Sequence, residues 1–369
     1  MSKDDQLSEG CLRCRDYEQV KSELENLKEK TETQSEENPW SVQPYRMFDM
    51  SNDSTVFRTK KQLEAAGWSL QGNIFFRNKD QYLPLIEAKL IHLYNHRFST
   101  FYSGMESRSS TSAELQDSTY VGLPRYWVPK PEVQKRLKDR WYKEWLLGYR
   151  WITRSTDERT LIFGIFPKLG TGSSLPVVCA KQDIRFLGSI LQSFVLDYVA
   201  RQFVGGANCT FGILKQLPVL RPQQIEDFPF QHHVLEMTYT SWELQPFAQD
   251  CGYYGAPFKW NEERRFLMRC EMDAYFFHKY LGSAQEWTDN ASEELKQHFA
   301  TPRDAVAYIM DTFVIVRRRD ISAFGNYKSK SMILNIFDKL QKAMDLGESY
   351  QSMLHPPAAD PRLAQRERS

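Results

Sequence analysis

Long apolar runs are missing from this chain. None approaches the roughly 18 residues that a membrane helix requires, so no membrane span is expected. The N-terminus, Met1-Ser2-Lys3-Asp4-Asp5, has no apolar stretch behind it and gives no reason to expect a signal peptide. Cysteine is scarce. Six in 369 residues do not make a disulfide framework, and a cytoplasmic protein with reduced thiols is the expectation. Nor does one sign of charge dominate. Lys and Arg number 48 against 47 Asp and Glu, so steering by net charge is excluded and any basic face must be local.

Signatures of catalysis are absent as well. Lys168-Leu169-Gly170-Thr171-Gly172 has glycines, but its lysine precedes them and the Gly-Lys-Ser/Thr ending of a phosphate loop is missing. A plain turn is expected there. His92 and His96 have the i, i+4 spacing of a metal pair, without the glutamate that a zinc peptidase uses and without an evident third ligand. Their expected role is structural. Cys11-Leu12-Arg13-Cys14 is one half of a zinc site with no second half. His232-His233 has no partner visible in the sequence, and neither a nucleophile elbow nor a compelling carboxylate pair stands out.

What is present is a globular composition, 41% hydrophobic and 14% aromatic, with length for a large core and about two domains. Residues 1–38 carry eleven acidic and six basic side chains. Val20, Leu24 and Leu27 fit one short amphipathic helix there, too short for a coiled coil. Between residues 39 and 82, aromatic runs around Trp40, Tyr45, Phe48, Phe57, Trp68 and Phe75 are broken by Asn-Asp and Gly-Asn, which predicts strands and loops. Pro84 is expected to open a helix through about His96. Residues 103–122, rich in Ser, Thr and Gly, read as a mobile loop, and residues 130–146 as a basic helix. Strands are expected at 160–167, 176–180 and 210–215, with one buried helix over 186–199 between them and an extended exit at 217–222.

Beyond residue 223 the spacing predicts helices over 261–282, 292–299, 302–311 and 328–345, with an N-cap signature at Thr301-Pro302-Arg303-Asp304. Phe313 to Asp320 reads as a strand-like run ending in three arginines, and residues 346–369 as a loose tail. The expected class is α+β: a mixed α/β domain over 39–222, then a mostly helical region over 223–345.

The segment from Leu147 to Thr160 concentrates Arg150, Arg154 and Arg159 with Tyr149, Trp151, Thr153, Ser155 and Thr156. Guanidinium forks grip phosphates or guanine edges, and hydroxyls bond phosphate oxygens. A nucleic-acid surface needs these residue types together. An ion-paired surface satisfied by Asp157 and Glu158 is the alternative. Arg201 and Gln202 follow the predicted buried helix and precede Gly205-Gly206, where a backbone can approach a ligand closely. Arg and Gln suit guanine and adenine edges, although an ordinary basic helix C-terminus fits equally. Arg125 and Tyr126, in Leu123-Pro124-Arg125-Tyr126-Trp127-Val128, are candidates to face a DNA backbone or base, with Trp127 in the core.

Taken together, these stretches resemble the C-terminal part of bacterial type IIG adenine-specific DNA methyltransferases of restriction-modification and phage-defence systems. The resemblance covers about residues 36–345. It runs through Met50-Ser51-Asn52-Asp53-Ser54, Leu83-Pro84-Leu85-Ile86-Glu87-Ala88-Lys89, Leu123 to Val128, Ile152 to Thr160, Leu196-Asp197-Tyr198-Val199-Ala200-Arg201-Gln202, and Ile213-Leu214-Lys215-Gln216-Leu217-Pro218. Pro257-Phe258-Lys259-Trp260-Asn261 and Glu271-Met272-Asp273-Ala274 continue it into the helical region. Such enzymes bind S-adenosylmethionine through a Gly-rich turn and hold the flipped adenine in an Asn/Asp-Pro-Pro-Tyr/Phe loop. Neither motif is present; the only Pro-Pro is Pro356-Pro357, after His355.

The resemblance therefore implies a DNA target-recognition domain at 39–222 and a helical region behind it, with no catalysis of its own. Double-stranded DNA and a separate catalytic methyltransferase part are the implied partners, and S-adenosylmethionine is expected in that partner, with no cofactor in this chain. Arg125, Tyr126, Arg150, Thr153, Arg154, Thr156, Arg159, Arg201, Gln202 and Lys215 are the expected DNA contacts. Two other classes compete. One is a complete methyltransferase with an unrecognised catalytic loop. The other is a protein-interaction subunit of a defence complex that makes no DNA contact.

Overall fold

Trp145-Leu146-Leu147-Gly148-Tyr149 is the strand around which one half of the molecule is organised, and all five residues are buried. A strand without polar alternation must have both faces covered. In the computed structural model, which describes residues 38–225 and 227–365, it is an interior strand of a four-stranded antiparallel sheet. The acidic segment with Val20, Leu24 and Leu27, and the Cys11/Cys14 pair, lie outside the described residues. From Trp40 onward the chain clusters as one compact unit.

Among the described residues the strands are β1 (Val42–Tyr45), β2 (Ser69–Gln71), β3 (Ile74–Arg77), β4 (Asp80–Ile86), β5 (Ser99–Ser103), β6 (Glu106–Ser109), β7 (Tyr126–Pro129), β8 (Trp145–Tyr149), β9 (Phe163–Pro167), β10 (Gly170–Thr171) and β11 (Val177–Ala180). One sheet has the order β1-β11-β8-β9. A second has β10-β4-β3-β2, with β7 also paired to β4, and β5-β6 is a hairpin. Gly72 (φ +60°) sits first in the two-residue turn joining β2 to β3, where a type II′ turn requires a positive φ.

The helices are α1 (Lys60–Ala65), α2 (Ser112–Gln116), α3 (Lys130–Leu137), α4 (Leu187–Leu191), α5 (Phe194–Phe203), α6 (Phe211–Gln216), α7 (Gln231–Thr238), α8 (Gln245–Asp250), α9 (Glu262–Leu281), α10 (Ala284–Asn290), α11 (Glu293–His298), α12 (Pro302–Asp311), α13 (Val314–Phe324) and α14 (Lys328–Leu346). The class is α+β, with a helical C-terminal region. The long helix α9 begins where Asn261 accepts the Arg264 N–H at 3.0 Å and packs along α14. One hydrophobic core runs from Trp40 to Leu354 without a break at residue 222. Trp145 joins its halves by donating Nε1–H to Asp250 at 2.8 Å. No helix of the described residues is long and apolar enough to cross a membrane.

Several elements differ from the sequence expectation, each for a physical reason. Pro84 lies inside β4 and opens no helix. It falls between Tyr82, where pairing with β3 ends, and Leu85, where pairing with β10 begins, so its missing N–H costs nothing on that side. The expected helix over 130–146 stops at Leu137, and the all-apolar β8 follows. The expected helix over 186–199 is broken at Gln192 and Ser193 because Asp273 takes the Phe194 N–H at 2.8 Å. The expected strand at 210–215 is α6, capped by Thr210, whose hydroxyl accepts from Ile213 N at 3.3 Å. The run from Phe313 is α13, since packing against its neighbours overrides β-propensity.

Two segments expected to be loose are tied down. Residues 110–120 are held by the buried Arg97 guanidinium, which donates to the carbonyls of Leu115 (2.9 Å), Asp117 (2.6 Å), Tyr120 (3.1 Å) and Thr240 (3.0 Å). The C-terminal segment docks on Glu271, a fully buried carboxylate of α9. Glu271 accepts from Tyr350 Oη (2.8 Å), Ser352 Oγ (2.9 Å) and Met353 N (2.7 Å), and faces His233 Nε2 at 2.6 Å. Ala359 N donates to Glu236 at 2.8 Å, and Leu354 joins the core.

Candidate nucleic-acid interface

The arginine-rich segment leaves β8 as a loop built from the inside. Thr153 is buried; its hydroxyl donates to Thr160 O at 2.9 Å and its N–H to Ala207 O at 3.1 Å. Ile152 bridges Asn208, and Cys209 N donates to Trp151 O at 2.8 Å. The loop 151–159 therefore lies beside the glycine-containing loop 204–209. Asp157 closes the tip by accepting Arg154 N at 2.9 Å, and Thr160 Oγ1 donates to Arg154 O at 3.1 Å.

Under this loop sits a buried ion triad. Asp197, fully buried on α5, accepts from Arg159 Nε at 2.7 Å and from Arg201 Nε at 3.1 Å. It also takes the Thr160 N–H, at 3.1 Å to either oxygen. Arg159 further donates to Gln192 O and stacks on Phe194 at 4.1 Å. Arg201 donates to Asp157 O (2.8 Å) and Glu158 O (2.9 Å) and lies over Phe313 at 4.0 Å. Buried charges persist when paired and hydrogen-bonded in this way.

The expected contact residues thus divide. Arg159, Arg201 and Thr153 have their hydrogen-bonding groups turned inward, and they shape the loop from below. Arg150 also points inward. Its guanidinium donates to Ile91 O, with Nε at 3.0 Å, and burial pulls its pKa down to about 10. Arg154 and Thr156 are exposed at the tip, and the Arg154 guanidinium has no partner among the described residues. Gln202 is exposed, with its amide donating to Tyr198 O at 3.1 Å. Lys215 is exposed on α6. Arg125 and Tyr126 belong to the other sheet, on or beside β7; Arg125 pairs with Glu87 at 3.1 Å and stacks on Tyr126 at 4.6 Å. Hence the structure brings Arg154, Thr156, Arg159, Arg201 and the 204–209 loop together and assigns Arg125 to a different sheet.

Two further cations reach this region. Arg46, exposed after β1, lies over the Trp151 ring at 3.7 Å and near Phe211 at 5.9 Å. Nothing in its sequence neighbourhood signals this, because the ring it covers is more than a hundred positions away. Arg319 of α13 pairs with Glu158. That contact carries the arginine run to the loop's edge and leaves Arg317 and Arg318 exposed. His92 stacks on Phe98 at 4.7 Å, with burial pulling its pKa down to about 3, and His96 faces Glu243 at 3.5 Å. Lys168 to Gly172 is not the plain turn expected: it contains β10, whose Gly170 and Thr171 pair in parallel with Leu85 and Ile86 of β4.

Chemically, this is a rigid, hydroxyl-bearing arginine loop flanked by glycine backbone, suited to hold anions by charge-assisted hydrogen bonds. Neither a family model, nor a curated protein, nor a solved structure matches this chain.

Proposed function

We propose that this chain is a cytoplasmic, sequence-specific recognition module for double-stranded DNA, working beside a separate adenine-specific methyltransferase part in restriction-modification or phage defence. The observation that carries the reading is the loop 151–159. Its internal arginines fix the fold, while Arg154 and Thr156 project from a tip whose backbone is held on both flanks. Preorganised donors of this kind suit phosphate and base-edge contact. Arg46, Arg317 and Arg318 add local positive charge that the balanced composition conceals. S-adenosylmethionine and methyl transfer belong to the partner in this reading.

The test is anisotropy titration of labelled duplexes by the chain, alone and with its catalytic partner, at roughly 50 and 200 mM salt. Binding should weaken steeply with salt. Arg154→Ala should lower the log–log slope by about 0.9, the share of one phosphate contact, and leave the unfolding midpoint unchanged. Salt-independent affinity, or none with the partner present, would refute the proposal. One observation favours the second reading, a protein-docking subunit. Helix α13 exposes Val314, Ile315, Ile321 and Phe324 beside Arg317 and Arg318, and apolar side chains mixed with arginine characterise protein interfaces.

A further inference from the structure

Two small cavities share a wall made by Tyr94, Ser189 and Gln192, one opening towards α7 and the other towards α9. The first is lined by Tyr94, Leu147, Arg185, Ser189, Gln192 and Thr238, among others. The second adds Arg159, Arg269 and Asp273 to Tyr94, Ser189 and Gln192. Each has room for about one water-sized molecule. Ser189, Gln192 and Thr238 are at most 5% exposed. Ser189 Oγ, Gln192 Oε1 and Thr238 Oγ1 have no hydrogen-bond partner among the described residues. Buried polar oxygens without partners are uncommon, and three around one space point to an occupant that bonds them.

Tyr94 supplies the fourth wall. It occupies a left-handed position (φ +53°) in a turn closed by His92 N to Asn95 O (2.8 Å) and Asn95 N to His92 O (2.9 Å). A bulky residue seldom adopts that backbone, and here it fixes the ring against the cavity. Ser189 and Gln192 lie close enough to the hydroxyl to ease its burial, yet neither oxygen completes a hydrogen bond. The partner of that hydroxyl is the weakly accepting Met272 sulfur at 3.9 Å.

The lining selects the occupant. Gln192 Oε1 needs a donor, while the hydroxyls of Ser189, Thr238 and Tyr94 rotate to give or to take. In the second compartment an anion would meet the Asp273 carboxylate and a cation would meet Arg159 and Arg269. In the first a cation would meet Arg185, whose charge is already paired with Asp183 at 2.7 Å and is not free to hold an anion. An apolar occupant would leave the three oxygens unbonded. Water meets every requirement. We propose that this seam between the sheet and the helical layer holds a pair of ordered internal waters, one in each compartment, bridging Ser189, Gln192, Thr238 and Tyr94.

A crystal structure of the full chain, at a resolution that shows water, tests this together with the thermal unfolding of Thr238→Val. The expected result is a single-atom peak in each compartment about 2.7–3.2 Å from at least two of these polar atoms. Valine keeps the volume but removes a water partner, so the variant should melt roughly 1–3 °C lower. Compartments free of density, density for a molecule larger than water, or a Thr238→Val variant that melts at the same or a higher temperature would overturn the proposal. Should the variant fail to fold, the wild-type density decides.

Discussion

Asp197→Ala should be among the most damaging single substitutions in the molecule. The carboxylate has no exposed surface. It accepts from Arg159 at 2.7 Å, Arg201 at 3.1 Å, Thr160 N at 3.1 Å and Leu161 N at 3.4 Å. Alanine strands the buried Arg159 guanidinium and the Thr160 N–H together. Breaking a buried pair from one side costs about 3–5 kcal/mol. At this chain length each kcal/mol moves the melting temperature by roughly 1.5 °C, so a fall of roughly 4–8 °C is expected by calorimetry. The urea midpoint should drop without a change of slope. Asp197→Asn keeps the shape and one acceptor, and should cost about half as much. Pairing Asp197→Ala with Arg159→Met should cost less than the sum of the single losses by about 0.5–3 kcal/mol, because the stranded cation is gone. Amide exchange at Thr160 and Leu161 should quicken in the alanine variant. A loss under about 1 kcal/mol, or strict additivity with Arg159→Met, would show that the triad does not hold the loop.

Glu271→Ala should release the C-terminal segment, costing about 2–4 kcal/mol and speeding proteolysis within residues 348–365; unchanged digestion would count against the docking. Gly148→Ala places a methyl 2.9 Å from Phe166 Cε1 and 3.0 Å from the Pro176 carbonyl, an overpacking worth about 1–3 kcal/mol. At Gly205 nothing lies within 4 Å, so alanine there should stay within about 0.5 kcal/mol in the same urea titration. Burial drops the His92 pKa from 6.5 to about 3, so the unfolded chain binds a proton first and stability is lost as pH falls from 6.5 towards 3. His92→Phe should therefore gain on the order of 2 kcal/mol relative to wild type between pH 7 and 4.5, read from urea midpoints; a pH-independent difference would refute it. Asp273, raised to about 6, has the opposite sign, favouring the fold as pH falls from 6 to 3.8, and it is common to both proteins.

The helices α9, α12 and α14 were legible because their signals are local: a period, a cap, a terminating glycine. Thr301 closes its box with Asp304 as its four-residue spelling predicts. The burial of Trp127 was legible from its bulky apolar ring, whereas β8 was missed, its first residues having been assigned to the expected helix over 130–146. Pro84, α6 and α13 were misread because short segments carry too few periods to outweigh their neighbours. At the candidate interface, residue type alone treats Arg154 and Arg159 alike.

Chain order and side-chain chemistry, then, were enough to determine the α+β class, the long helices, the two buried strands β9 and β11, and a hydroxyl-rich cluster of arginines. Tertiary structure alone decided which arginines face outward. Asp197, 38 positions beyond Arg159, turns that guanidinium inward, while Arg154 is left at the surface. It likewise decided that the C-terminal segment docks, since the carboxylate receiving it lies about 80 residues upstream. Periodicity and capping are set by neighbours within a turn or two. The fate of a charge is set by whatever opposite charge the fold delivers to it, and no local window contains that partner.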